Sequence, residues 1–327
     1  MPQTASDYNK SALNRIRDGD VTGAIDDWTQ AIHLNPDYAI AYSNRANAYV
    51  SIGQIENALA DHDIAIKLDP ENPDSYLNRA NARQNARDSR GALADLDMAI
   101  RLRPEDAGIH YNRGNLRAAT GNAKAALEDW TNAIHMNPHF TPAYINRGGV
   151  RLQMGDAEGA IADISMAVEI HPQNAEYRKN RGNAYMLLGE VDKAIADFNM
   201  ALDLNPNFVE ALAFRGNAYF RKGQFEGAIT DFDRTIAILP DEPANYVNRG
   251  IIRNAQGKFD EAIADFDRAI TLNPNAVQAY RNRAEAHQQH GNTAEAVADY
   301  QQYLALGGGK RYRDADQIEA RITALGG

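Results

Sequence analysis

The stretch AEYRKNRGNAYMLLGEVDKAIADFNMALDLNPNF, residues 175–208, decides the fold, because the rest of the chain copies it. Its landmarks are Asn180-Arg181-Gly182-Asn183, then Gly189, Ala194, Asp197, Phe198, Ala201 and a closing Leu204-Asn205-Pro206. Prolines recur 34 residues apart at Pro36, Pro70, Pro104, Pro138, Pro172, Pro206, Pro240 and Pro274. A fixed period of that length predicts a solenoid of stacked units rather than one globular core.

From Glu176 the first half of the unit carries two opposed stripes at helical spacing. Arg178, Arg181, Gly182 and Tyr185 form one; Glu176, Lys179, Asn180, Asn183, Met186 and Leu187 form the other. Gly189 stops this helix, since glycine takes positive φ at little steric cost. The second half puts Ala194, Asp197, Phe198, Ala201 and Leu202 on one stripe and ends at Pro206. Gly182 and Ala194 are small, which lets the two helices approach closely. A hairpin of this size cannot bury its apolar faces alone and has to stack on copies of itself.

A small residue in the first helix, Gly at the turn, Ala and an aromatic in the second helix, and a closing Pro: the unit resembles the tetratricopeptide repeat (TPR). The likeness runs from about Ala5 to Lys310 in nine in-register copies, 5–38, 39–72, 73–106, 107–140, 141–174, 175–208, 209–242, 243–276 and 277–310. It implies an all-α fold in one array over 1–327, a right-handed superhelical solenoid of antiparallel helix pairs whose first helices line a concave groove.

Composition narrows the class further. Met1 to Lys10 is polar and leads into the first repeat, so no signal peptide is expected. No apolar run approaches 18 residues, so no membrane span is expected. The absence of cysteine excludes disulfides and thiolate zinc sites and fits a reducing, cytoplasmic compartment. A net charge of −10 argues against nucleic acid as the main partner.

Several copies depart from the pattern. Repeat one has Lys10 and Ser11 where later copies have Asn and Arg, as expected of a terminal repeat whose outer face meets water. Repeat three replaces the turn glycine by Arg87, which predicts a longer or looser turn. Repeat five carries Gly148-Gly149, and the second glycine weakens its first helix by about 1 kcal/mol. Repeat nine ends without its proline in Gly307-Gly308-Gly309, read as a helix breaker. A last amphipathic segment, about 311–327, puts Ala315, Ile318, Ile322 and Leu325 on one face and is expected to cap repeat nine. Pro73, Pro142 and Pro243 stand in the first turn of a first helix, where a missing N–H costs nothing.

Two charged series run along the stripes between helices: Arg45, Arg79, Arg113, Arg147, Arg181, Arg215, Arg249 and Arg283, and Asp27, Asp61, Asp95, Asp129, Asp163, Asp197, Asp231, Asp265 and Asp299. Charges on a packing stripe are costly unless paired. Because repeat one keeps Asp27 but has Ser11 in place of Arg, the sequence pairs Asp27 with Arg45 of the next repeat. Asp299 is then left to Arg313 or Gln317. The pairs are read as fixing register between repeats, with presentation of the arginines to an anionic ligand as the alternative.

The candidate ligand surface is a series of amides, Asn44, Asn78, Asn112, Asn146, Asn180, Asn248 and Asn282, flanked by Asn47, Asn81, Asn115, Asn183 and Asn217. A carboxamide offers a donor and an acceptor, so it can pair with the C=O and N–H of an extended peptide. The first series resembles the asparagine ladder of the O-linked N-acetylglucosamine transferase's TPR array, which implies side-chain-tolerant peptide binding. Alternatively the amides bond adjacent repeats. Between repeats four and seven the same face turns apolar, at Tyr111, Ile145, Leu152, Met186, Leu187, Phe214 and Phe220. Such a patch suits an apolar segment of a partner, or packing between repeats. Lys179 and Asn183 match the start of the carboxylate clamp of chaperone-binding TPR proteins. Phe214 and Ala244 interrupt it.

No catalytic or metal-binding residues and no cofactor are expected. His287 and His290 lie at i, i+3 without an obvious third ligand. Gly307-Gly308-Gly309-Lys310 lacks the spaced first glycine and the Ser or Thr of a phosphate loop. The sequence thus predicts a non-catalytic scaffold for a protein or peptide partner. The rival readings are a self-associating assembly protein and the regulatory subunit of a separate enzyme.

Overall fold

A computed structural model describes residues 4–326, so expectations for residues 1–3 and 327 lie outside it. Every regular element among the described residues is a helix. The chain forms two compact units, Met1–Met154 and Gly155–Gly327. The first holds α1 (Ala5–Arg17), α2 (Val21–Leu34), α3 (Ala39–Ser51), α4 (Ile55–Leu68), α5 (Pro73–Asn85), α6 (Ser89–Leu102), α7 (Ala107–Ala119), α8 (Ala123–Met136) and α9 (Thr141–Gln153). The second holds α10 (Ala157–Ile170), α11 (Ala175–Leu187), α12 (Val191–Leu204), α13 (Val209–Arg221), α14 (Phe225–Ile238), α15 (Pro243–Ala255), α16 (Phe259–Leu272), α17 (Val277–His290), α18 (Thr293–Ala305), α19 (Gly308–Tyr312) and α20 (Ala315–Ala324). Within each unit successive helices pack as hairpins and each hairpin packs on the next, which is an all-α solenoid.

Local chemistry sets these boundaries. Thr4 caps α1 through a capping box, its hydroxyl accepting from the Asp7 N–H while the Asp7 carboxylate accepts from the Thr4 N–H. Asp20, Asp88 and Asn122 cap α2, α6 and α8 by accepting from Gly23, Gly91 and Ala125. Pro73 and Pro243 open α5 and α15 at their first positions.

The turn inside each hairpin needs a left-handed residue, which Gly53 supplies at φ +76°. Arg87 takes the same conformation at φ +60°. The helices on either side, α5 and α6, keep the 13- and 14-residue lengths of their neighbours α3 and α4. The looser turn expected in repeat three is therefore not formed: the hairpin imposes its geometry and the arginine backbone bears the strain.

Packing inside a hairpin is a match of small residue to large ring sixteen positions later. A Cβ on Gly182 would lie 2.6 Å from Cε1 of Phe198, and one on Gly114 would lie 2.7 Å from Nε1 of Trp130. Gly216 faces Phe232 and Gly250 faces Phe266 in the same way. By the same register Ala80 stands opposite Leu96 and Ala46 opposite His62, all four buried. Gly149 is a different case. A Cβ there meets nothing within 4 Å and its φ is not positive, so it only weakens α9. Gly149→Ala is expected to raise the unfolding free energy by about 1 kcal/mol, read as a higher denaturant midpoint by tryptophan fluorescence; an unchanged or lower midpoint counts against this reading.

Both ends of the repeat series present polar side chains outward. In α1 the positions of Asp7 and Asn14 correspond to the buried Ala41 and Ala48 of α3. At the other end Ile318 of α20 is fully buried against Tyr300, Tyr303 and Ala284, with Ile322 and Leu325 beside it, as expected of a capping helix. The glycine run before it does more than break a helix. Gly307, at φ +79°, follows α18, whereas Gly308 and Gly309 are buried inside α19. A Cβ on Gly308 would lie 2.3 Å from Cε2 of Tyr303, so glycine is required there by close approach. No helix among the described residues is long and apolar enough to cross a membrane.

Candidate functional site

The arginine series and the amide series lie one residue apart on the first helices, so the ladder that orders the helices also positions the amides. Seven of these arginines are seen to pair inside their own hairpin, sixteen residues ahead. Arg45 Nε and Nη2 donate to Asp61 at 2.7 and 2.8 Å, and Arg215 Nε and Nη2 donate to Asp231 at 2.8 and 2.6 Å. Arg79, Arg113, Arg181, Arg249 and Arg283 grip Asp95, Asp129, Asp197, Asp265 and Asp299 in the same way. The expected pairing of Asp27 with Arg45 is thus wrong, and so is that of Asp299 with Arg313 or Gln317. Asp27 instead accepts from Ser11 Oγ at 2.7 Å and Arg15 Nε at 2.8 Å within repeat one. The physical reason is reach: the two helices of a hairpin face each other at this register, and a bidentate fork needs its carboxylate directly opposite.

The remaining nitrogen, Nη1, does join repeats. It donates sixteen residues back, to Thr29 from Arg45, Asp63 from Arg79, Asp97 from Arg113, Thr131 from Arg147, Ser165 from Arg181, Asn199 from Arg215, Asp233 from Arg249 and Asp267 from Arg283. Every acceptor sits two residues after the preceding aspartate, a regularity visible in the sequence that the reading of the ladder overlooked. Tyrosine rings complete the enclosure, with Arg45 Cζ 5.7 Å from the Tyr42 ring and Arg249 Cζ 5.7 Å from the Tyr246 ring. The hydrogen bond to Asp299 holds the Arg283 guanidinium above its ordinary pKa against the opposing effect of burial.

The amides divide into two groups. Asn44 Nδ2 donates to Asn9 Oδ1 at 3.2 Å, an oxygen that also accepts from Trp28 Nε1 at 2.9 Å. Asn146 repeats the arrangement, donating at 2.8 Å to Asn115 Oδ1, which accepts from Trp130 Nε1 at 3.1 Å, and also to the Tyr111 hydroxyl at 3.1 Å. Asn78 donates to Ser43 Oγ at 3.4 Å. These three bond to the preceding repeat. Where the residue 35 positions earlier is apolar, at Leu77 for Asn112 and Ala213 for Asn248, no such acceptor exists. Among the described residues no hydrogen bond engages the side chains of Asn112, Asn180, Asn183, Asn217 or Asn248. In the first unit a cleft of about 510 Å³ is lined by Asn78, Asn81, Gln84, Asn112 and Asn115 with Leu77, Ala80 and Leu96, and by no charged residue.

The apolar residues are partly packed. Tyr111 meets Phe140 edge-on at 5.2 Å in the first unit. In the second, Phe214 stacks on Phe198 at 5.9 Å, Phe220 tilts against Phe225 at 5.9 Å, and Met186 joins the cluster of Phe198 and Phe214. Ile145 and Leu152 are half-buried, and Leu187 is 63% exposed. Lys179 is taken by Glu176 at 2.6 Å and by the Phe208 ring. His287 Nδ1 pairs with Asn292 and His290 Nε2 lies 3.4 Å from Asp260.

Comparisons with known proteins agree with this geometry. Sequence profiles described as Tetratricopeptide repeat match residues 215–280 and 258–323, 175–208, and 77–139 and 118–175, and one described as TPR repeat matches 16–53 and 46–86. A search of curated proteins found no match. Among solved structures, a tetratricopeptide repeat protein from Parabacteroides merdae is 20% identical, covering 78% of this chain and 99% of its own, with a TM-score of 0.59. A chain of the APC/C hetero-tetramer Cut9-Hcn1 is 17% identical, covering 93% of this chain and 59% of its own, with a TM-score of 0.54. YrrB, described as a TPR protein with an unusual peptide-binding site, is 27% identical, covering 57% of this chain and 95% of its own, with a TM-score of 0.49. Profiles spanning nearly all of the chain, hairpins of constant length and the repeated small-to-aromatic packing lead to one assignment: this chain belongs to the tetratricopeptide repeat family.

Proposed function

We propose that the protein is a non-catalytic scaffold that holds a segment of a protein partner along its first helices. The observation that carries this reading is the set of carboxamides left without hydrogen-bond partners at Asn112, Asn180, Asn183, Asn217 and Asn248, with the uncharged amide-lined cleft beside Asn112. Each amide can accept a peptide N–H and donate to a peptide C=O, for about 1 kcal/mol net per bond. Affinity therefore comes from several on successive first helices of one unit, as with Asn180, Asn183, Asn217 and Asn248 in the second. Asn44, Asn78 and Asn146 support the neighbouring helices and leave their carbonyl oxygens to a ligand. Phe214, Phe220, Met186 and Tyr111 supply the apolar contacts, their exposed edges rather than whole rings.

The test is a pull-down from lysate with wild type, Asn180→Ala, Asn112→Ala and Phe214→Ala, followed by affinity measurement for the partner recovered. Each variant is expected to weaken that partner several-fold, the two Asn variants with an unchanged melting temperature and Phe214→Ala with a lowered one, because its ring also packs on Phe198. Full retention by all three would place the site elsewhere. Growth of oligomers with concentration in light scattering would favour the rival reading of a self-associating protein.

A further inference from the structure

One edge of the first unit departs from the sequence pattern in three ways that each cost stability. The second residue of the second helix is acidic in most repeats: Glu56, Glu158, Asp192, Glu226 and Asp260. An acid there complements the helix dipole and the unpaired N–H groups of the first turn. Repeats three and four carry Arg90 and Lys124 at this position instead, cations facing the positive end of α6 and α8. Beside Arg90, the turn that uses glycine in repeats two and four uses Arg87 in a left-handed conformation. Repeats otherwise so regular are expected to break local rules mainly where a function requires it.

The second unit shows how this edge is satisfied elsewhere. There the acid is met by the residue that ends the first helix of the next repeat: Lys222 on Asp192, Gln256 Nε2 on Glu226 at 3.0 Å, and His290 Nε2 on Asp260 at 3.4 Å. The same 30-residue offset sets Arg90 against Thr120 and Lys124 against Met154, neither of which can accept an ion pair. Among the described residues no side-chain hydrogen bond or ion pair engages Arg87, Arg90 or Lys124. The acids of the edge are Glu56 and Asp88. Asp88 caps Gly91 and lies 3.9 Å from Arg83, and neither acid pairs with the three cations.

We propose that Arg87, Arg90 and Lys124 form a docking edge for an acidic segment of a protein partner, separate from the amide face. Three exposed, unpaired cations at two successive hairpin turns, in a chain of net charge −10, give an anionic segment an attractive place to land. The cations sit on the outer rim of the hairpins, where long side chains reach a partner without repacking the solenoid.

The test uses the full chain and a fluorescein-labelled all-glutamate peptide, read by anisotropy at low and at high salt. Wild type is expected to bind the peptide, more weakly as salt rises. The variant Arg87→Gly/Arg90→Glu/Lys124→Glu writes the pattern of the other repeats into this edge. It is expected to lose affinity roughly tenfold or more while melting at or above the wild-type temperature. Lys124→Glu alone is expected to give part of that loss, and Asn112→Ala none, which separates this edge from the amide face. Absence of peptide binding to wild type, equal affinity of wild type and triple variant, or displacement of the peptide by single-stranded RNA or anionic vesicles at lower concentration would each overturn the proposal.

Discussion

Arg215→Leu is expected to lower the unfolding free energy by about 3–5 kcal/mol, because it leaves the Asp231 carboxylate buried without its countercharge. Asp231 is 1% exposed and Arg215 is its ion-pair partner, through two short hydrogen bonds. Asp265 provides the contrast within the same unit. It accepts from Arg249 and also from Arg253 Nη1 at 2.8 Å, so Arg249→Leu leaves one cation in place. That variant is expected to lose clearly less, about 1–2 kcal/mol. Arg215→Leu/Asp231→Leu is expected to recover most of the loss, since a buried ion pair contributes little beyond what matched apolar side chains give. Denaturant unfolding followed by far-ultraviolet circular dichroism measures all three. Both tryptophans, Trp28 and Trp130, lie in the first unit, so their fluorescence follows a part of the chain that these changes do not touch. Equal losses for Arg215→Leu and Arg249→Leu would show that the second arginine does not matter. Failure of the double variant to recover would place the cost in lost hydrogen bonds to Asn199 and the neighbouring repeat rather than in an orphaned charge.

The period of 34 residues made the helix boundaries legible, because propensity, turn glycine and closing proline coincide in almost every copy. Ile318 on the cap was readable for the same reason: an amphipathic face at the end of an array has one surface to cover. The partner of Asp27 was not readable. Choosing between Arg45 and Arg15 depends on whether the fork of an arginine reaches forward across a hairpin or back across repeats, and spacing alone does not decide between them. The strain at Arg87 was equally hidden, since composition alone suggested a change in the turn's length rather than in one φ angle. For the amides, the sequence placed Asn44 and Asn112 in one class. They separate only once the residue 35 positions earlier is known to be the hydrogen-bond partner, an oxygen of Asn9 in one case, whereas Leu77 in the other offers no acceptor. The charge reversal at Arg90 and Lys124 stood in plain view in the sequence. Its meaning came from the pairs at Asp192, Glu226 and Asp260, which show what the position normally touches.

His62→Leu is expected to stabilise the first unit and to remove an acid-side loss of stability. His62 occupies the place of the large ring in repeat two, fully buried, and both ring nitrogens lack hydrogen-bond partners. Burial first, and the nearby Arg79 guanidinium second, push its pKa from 6.5 down to about 4, with Asp63 opposing weakly. The folded state therefore holds the neutral ring while the unfolded chain takes up a proton below pH 6.5. Stability from this group is complete above about pH 6.5 and is lost as pH falls toward about 4, where the folded form also protonates and the loss ends. That interval corresponds to on the order of 3 kcal/mol. Leucine is the fitting replacement, since Leu96 occupies the equivalent place opposite Ala80. Phenylalanine is found there opposite glycine, at Phe198, Phe232 and Phe266, and would crowd the Cβ of Ala46. Tryptophan fluorescence is expected to give His62→Leu a higher denaturant midpoint at neutral pH, and a smaller fall in midpoint than wild type between pH 6.5 and 4.5. His62→Phe, tested beside it, is expected to flatten the same pH dependence while losing stability to overpacking, about 1–3 kcal/mol. Parallel pH profiles for wild type and both variants would mean that another group governs the acid limb and that the buried ring finds a proton acceptor on folding.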